Sequence, residues 1–160
     1  MLTAFLESVK YVGHLIPIAF LRVFLGYYYL QQGLVKFNGD YLSRPRLAAQ
    51  VADVLPGLNI PHFYRELLEQ VVIRHWQGVS FTVMALEFAI GVSYLLGYVV
   101  RPMAIIAAFM SLNILIISHP SLEDQFRMLL AAHVVLAWVG AGRCLGLDYY
   151  YYKRRRGFWW

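Results

Sequence analysis

Five polar side chains stand inside stretches that are otherwise apolar: Arg22, Tyr29, Glu87, Asn113 and His133. From Leu15 to Val35 only Arg22 carries a charge, and from Gln77 to Val100 only Glu87 does. A charge at mid-membrane costs about 2.5–3.5 kcal/mol on insertion scales, so such groups turn toward a protein interior and mark function. Their spacing points the same way. Arg22, Gly26, Tyr29, Gly33 and Lys36 recur at i, i+4, i+7, i+11 and i+14, one face of a helix, and Glu87, Gly91, Tyr94 and Tyr98 share a second face. An acid can hold a proton, while imidazole, amide and phenol can orient a bound headgroup by hydrogen bonds. Two readings stay open: an internal polar network that fixes the helices, or a polar cavity for a quinone headgroup or a proton. A metal centre is not expected, because His14, His62, His75, His119 and His133 show no ligand spacing.

Helices that could hold these residues follow from the composition. The chain has 160 residues, 60% of them from AVILMFWYC and only 14% charged, with mean hydropathy +0.55. A soluble domain carries roughly 25% charged residues, so this chain lacks polar surface for a water-facing globule. Disordered chains are polar and poor in aromatics, which these are not. Nucleic acid is not an expected partner, since the +5 net charge is concentrated in the run from Lys153 to Arg156. The lone Cys144 provides no internal disulfide, no CxxC pair and no zinc finger. The expectation is an all-α fold: a transmembrane four-helix bundle, with spans at about 15–36, 78–100, 102–118 and 122–141. Pro102 suits the opening of the third span and Pro120 marks its end. Ser121 with Glu123 and Asp124 reads as a capped start for the fourth, closed by Gly142. No cleavable signal is read at the start, because Pro17 and Arg22 interrupt the first apolar run.

With span centres near residues 25, 89, 110 and 132, Glu87 and Asn113 fall about 3–5 Å outward of the midplane and His133 near it, at 1.5 Å per residue. Arg22 falls about 4–5 Å inward, and its side chain favours pointing toward the helix N-terminus, so an Arg22–Glu87 bridge is left open. The loop between the first two spans holds two expected short interfacial helices, Pro45 to Leu55 and Pro61 to Trp76. The second carries the apolar stripe Phe63, Leu67, Leu68, Val71 and Val72. It reads as a structural lid, a partner-docking surface or the cover of a cavity. Residues 1–148 form the expected membrane domain and 149–160 a tail. In that tail Tyr149, Tyr150, Tyr151, Tyr152, Lys153, Arg154, Arg155, Arg156, Trp159 and Trp160 suit the lipid headgroup zone. The short Arg101 turn and the basic tail favour both termini in the cytoplasm by the positive-inside rule. No internal repeat or broken helix pair supports a carrier.

The chain resembles the DoxX/DoxD-like family of small four-span membrane proteins. The resemblance rests on Leu21-Arg22-Val23-Phe24-Leu25-Gly26 with Gly33 and Lys36, on Glu87-Phe-Ala-Ile-Gly91 with Leu95-Leu96-Gly97 and Arg101, and on Gly140-Ala141-Gly142-Arg143 through Leu147-Asp148, across residues 16 to 148. It implies a multi-pass protein of a bacterial or archaeal cytoplasmic membrane that works with other membrane or extracytoplasmic subunits. In the best-defined members that assembly is a thiosulfate:quinone oxidoreductase, and the long first loop looks more like the DoxD type. The implied role is an accessory subunit serving quinone-linked oxidation of thiosulfate or thiols, or else the quinone-reducing subunit itself. A quinone is the one cofactor the resemblance suggests.

Overall fold

The computed structural model describes residue 11 and residues 13–154. Every regular element among them is helical. Helix α1, Ile16–Asn38, opens with Pro17 in its first turn, where the missing N–H has no intrahelical partner to lose. Two short elements follow, α2 at Arg46–Val54 and α3 at His62–Leu67, and α3 runs on into a π-helical turn at Leu68–Ile73. Helix α4, Trp76–Leu96, ends on Gly97 in the left-handed conformation that glycine adopts at no steric cost (φ +64°). Helix α5 is Val100–Ile117, α6 is Glu123–Val139, and α7 is Asp148–Arg154.

Three of these helices, Gly13–Asn38 with its leading turn, Trp76–Leu96 and Val100–Ile117, are long and apolar enough to cross a membrane. Their outer faces carry an apolar coat: Phe20, Phe24, Val35, Phe81 and Phe109 are all well exposed, as lipid-facing side chains must be, and Trp138 of α6 is exposed as well. Helix α6 has 17 residues, begins at Glu123 and packs lengthwise on α5. Its ends differ from the expectation. Ser121 does not cap it, because its hydroxyl is engaged with the His119 ring, and Glu123 and Asp124 instead bind Arg127. Gly140 (φ +69°), two residues before Gly142, closes it.

Helix α1 packs along α4, α5 packs along α6, and the two pairs join around Leu25, Tyr29, Ile90, Tyr94, Ala104, Ala107 and Leu136. Small residues set the closest approach. A Cβ added to Gly91 would lie 2.9 Å from the backbone nitrogen of Leu30, and one on Gly26 would lie 3.0 Å from that of Leu95. The two backbones therefore touch where neither helix has a side chain. A second core forms outside this bundle: Val51, Leu55 and Leu68 close on Ile117 at the end of α5, with Leu47, Tyr64 and Val72 around them. It roofs the bundle with α2, α3 and the π turn. The expected stripe on the second loop helix divides here, for Leu68 is buried in the roof while Phe63, Leu67 and Val71 remain exposed.

Candidate functional site

Beneath the roof lies a cavity of about 450 Å³. Its walls are Tyr28, Tyr29, Gln32 and Lys36 of α1, Val83, Leu86 and Glu87 of α4, Ile106, Met110, Ser111, Asn113 and Ile114 of α5, and Phe126 and Leu129 of α6; Tyr41, Gln50, Tyr64 and Leu68 cover it. Most of that lining is apolar, and the polar groups gather toward the roof. Glu87 is 4% exposed and its Oε1 accepts a hydrogen bond from Lys36 Nζ, an ion pair between α1 and α4. Its other oxygen, Oε2, is buried with no hydrogen-bond partner among the described residues. A buried unpaired acceptor is costly, and such atoms in native structures call for an explanation, a ligand being one. The Lys36 ammonium also stands 5.4 Å from the centre of the Tyr41 ring. Burial, with the Glu87 charge adding to it, pushes the Tyr41 phenol up to about 12, so it remains a donor at every physiological pH. At the roof, Tyr64 Oη donates to Asn113 Oδ1 at 2.8 Å, and Asn113 Nδ2 donates to the Phe109 carbonyl at 2.7 Å. This latches the roof to α5.

A second polar group lies deeper. His133 is fully buried, with Nε2 2.8 Å from Tyr29 Oη and Nδ1 2.9 Å from Tyr94 Oη, which ties α6 to α1 and α4. Tyr29 belongs to both places, since it also lines the cavity.

Arg22 lies elsewhere. It does not reach Glu87: Nη1 donates to the carbonyls of Ala141 and Cys144 at 2.8 and 3.1 Å, and Nη2 to that of Leu145 at 2.9 Å. These carbonyls belong to the turn after α6, which the favoured N-terminal direction of the Arg22 side chain brings within reach. Gly97 and Gly146 make room for it, for a Cβ on either would lie 2.5 or 2.7 Å from Nη1. Next to it, the buried Asp148 carboxylate accepts from the N–H groups of Val99 (2.7 Å) and Val100 (3.1 Å), at the free N-terminus of α5. Val99 has φ +54°, an unusual conformation for a β-branched residue, and the Asp148 bond holds it there. Burial raises the Asp148 carboxyl above the usual range, against the pull of those two N–H groups and of Arg22.

The five intramembrane candidates thus separate into three places: Glu87 and Asn113 at the cavity, Tyr29 and His133 in the buried triad that touches it, and Arg22 at the opposite end. Three further residues take part: Lys36, Tyr94 and Asp148. Lys36 and Tyr94 were on the two polar faces all along, and pairing them with Glu87 and His133 required the helix packing. Asp148 entered only as part of the resemblance, at the end of the expected membrane domain, and its bonds to Val99 and Val100 required the fold. Tyr98, expected on the same face as Glu87, lies beyond the end of α4 at Gly97, is 38% exposed and has its ring 5.4 Å from that of Tyr151. Around α7, Arg143 of the turn after α6 lies 4.1 Å from the Tyr152 ring and Arg154 4.5 Å from that of Tyr150, while Tyr149 is half-buried and Lys153 exposed. Arg155, Arg156, Trp159 and Trp160 lie outside the described residues. Among the described residues no three His, Cys, Asp or Glu side chains gather in a way that would hold a metal ion.

The DoxX family model matches residues 18–120, from α1 through the end of α5. The chain belongs to the DoxX family. The match covers both walls that carry Lys36 and Glu87, and the roof between them, and it stops short of α6 and the Arg22-bound turn. No curated protein and no solved structure matches the chain.

Proposed function

We propose that this DoxX protein is a four-span subunit of a prokaryotic cytoplasmic membrane, with both termini cytoplasmic, whose roofed cavity holds a quinone headgroup and serves the quinone-linked oxidation of thiosulfate or thiols. The unpartnered Glu87 Oε2 in a largely apolar cavity is the observation that carries this reading. At about 450 Å³ the cavity falls within the roughly 300–1,000 Å³ of small-molecule sites, and its lining has their character, apolar walls with a few convergent polar groups. An aromatic ring bearing oxygens matches such a lining. A bound quinone would supply acceptance of two electrons and two protons. The chain's own contribution is placement and proton handling. Lys36 fixes Glu87 through Oε1, which leaves Oε2 as the oxygen that would pass a proton to the headgroup as it is reduced and then accept a hydrogen bond from the resulting hydroxyl. Tyr41 offers a phenol that stays protonated, beside the Lys36–Glu87 pair. Cys144 is buried beside Arg22 on the far side, so thiol or thiosulfate chemistry falls to another subunit or to the substrate.

The test is reduction of a short-chain benzoquinone by membranes supplied with thiosulfate. Glu87→Gln is expected to lower the rate at least tenfold, and an unchanged rate removes Glu87 from the reaction. The accessory-subunit reading also has an observation in its favour, the exposed Phe63, Leu67 and Val71 on the roof. Purification in mild detergent followed by mass spectrometry should then retain partner subunits; a lone 18.5 kDa species would overturn it.

A further inference from the structure

The Tyr29–His133–Tyr94 triad has a direction, and that direction reaches the cavity. Among the described residues no charged group touches the His133 ring, and an imidazolium buried there would be a charge without a counter-ion. The ring is therefore neutral and carries one proton, so one nitrogen donates and the other accepts. Two arrangements fit the distances. In the first, Tyr29 O–H donates to Nε2 and Nδ1–H donates to Tyr94 Oη, which leaves the Tyr94 proton to find an acceptor. Tyr94 is 0% exposed, and among the described residues its hydroxyl meets only Nδ1. The first arrangement strands a buried donor, which proteins avoid. In the second, Tyr94 O–H donates to Nδ1, Nε2–H donates to Tyr29 Oη, and the Tyr29 proton is released to point elsewhere. Tyr29 has somewhere to send it, because Tyr29 lines the cavity, as Ser111 of α5 also does.

We propose that Tyr94 fixes the tautomer of His133 and so makes Tyr29 a hydrogen-bond donor toward the cavity, which selects ligands presenting a carbonyl-type acceptor at that end. Tyr94 and His133 are positioning residues; Tyr29 is the group that meets the ligand. The other polar end has the opposite character, since Glu87 Oε2 is an acceptor. The pocket thus distinguishes the two ends of its ligand. The identity of that ligand as a quinone rests on the reading above, whereas the direction of the triad does not.

Two measurements on the full chain in nanodiscs separate the two claims. Nitrogen-15 spectroscopy of histidine-labelled protein reads the tautomer without ligand. The expected result is His133 protonated on Nε2 and bare on Nδ1, with Tyr94→Phe shifting the proton onto Nδ1; a wild-type ring protonated on Nδ1 overturns the inference. Binding of a decyl-benzoquinone and of its hydroquinone is then compared in Tyr29→Phe. The benzoquinone should weaken about tenfold, the equivalent of about 1.4 kcal/mol, and the hydroquinone by less than about threefold. Equal loss for both forms, or none for either, overturns the inference and leaves the quinone reading standing. Failure of wild-type protein to bind either form strikes the quinone reading, and the tautomer alone then decides the direction of the triad.

Discussion

Lys36 and Glu87 illustrate how a single pair can hold two helices together and still leave chemistry available. The Glu87 side chain is 5% exposed and that of Lys36 19%, so removing the lysine leaves a carboxylate in an apolar wall with no counter-charge. Lys36→Met is expected to cost about 3 kcal/mol, and adding Glu87→Gln should recover most of it, because the neutral pair strands no charge. Unfolding midpoints of the two variants in one detergent check this. Asp148 follows a different rule. Its carboxyl is raised by burial, so the folded protein binds that proton more tightly than the unfolded chain does. Its contribution is then fully present below the unfolded value near 3.9 and is lost as pH rises through the raised folded value. Thermal stability measured across mildly acidic pH should therefore fall with rising pH by more in the wild type than in Asp148→Asn. A stability difference that is flat in pH would show that capping of Val99 and Val100, and not burial, governs this group.

At the scale of elements, the contact of α1 with α4 and the latch of the roof are the two features that shape the cavity. Gly26 and Gly91 let α1 and α4, which both line the cavity, meet backbone to backbone. Gly91→Ala must push Leu30 and its backbone away, an overpacking worth about 1–3 kcal/mol, and it should widen the separation that Lys36 spans. A lowered unfolding midpoint together with weaker benzoquinone binding is the expected outcome. The roof is held more lightly. Tyr64→Phe removes one hydrogen bond to Asn113, about 1 kcal/mol, and leaves the Val51–Leu55–Leu68–Ile117 cluster intact. Amide hydrogen exchange across residues 62–73 should quicken several-fold while α4 is unchanged, since local opening and global unfolding are separate events.

For the whole molecule, the cavity and the Arg22–Asp148 bracket lie at opposite ends of the helices, so the protein has a ligand end and a fastening end. The proposed orientation puts the roof outside and the bracket inside the cell. A cysteine placed at exposed Gln70 should react with a membrane-impermeant maleimide in intact cells, and one at exposed Lys153 only after the membrane is opened. The native Cys144 should stay silent in both cases, because it is fully buried and burial raises its thiol. Labelling at Lys153 from outside would invert the orientation.

The helical fold, the lipid-facing coat and the inward faces were legible in the sequence, because hydropathy and the 3.6-residue period are local properties that a bilayer enforces on each segment separately. Arg22, Gly26, Tyr29 and Gly33 are all buried on one face of α1, as their spacing predicts, and Glu87, Gly91 and Tyr94 are on α4. Helix ends were less legible: the close at Gly140 and the uncapped start at Glu123 depend on the Arg22-bound turn and on ion pairs to Arg127. What only the tertiary structure decided is which polar residue answers which. Periodicity says that a side chain faces inward, and it says nothing of the rotation and offset of the neighbouring helix. Those offsets place Lys36 rather than Arg22 against Glu87, put Tyr94 on the far nitrogen of His133, and leave Glu87 in the cavity wall with Oε2 unpartnered among the described residues.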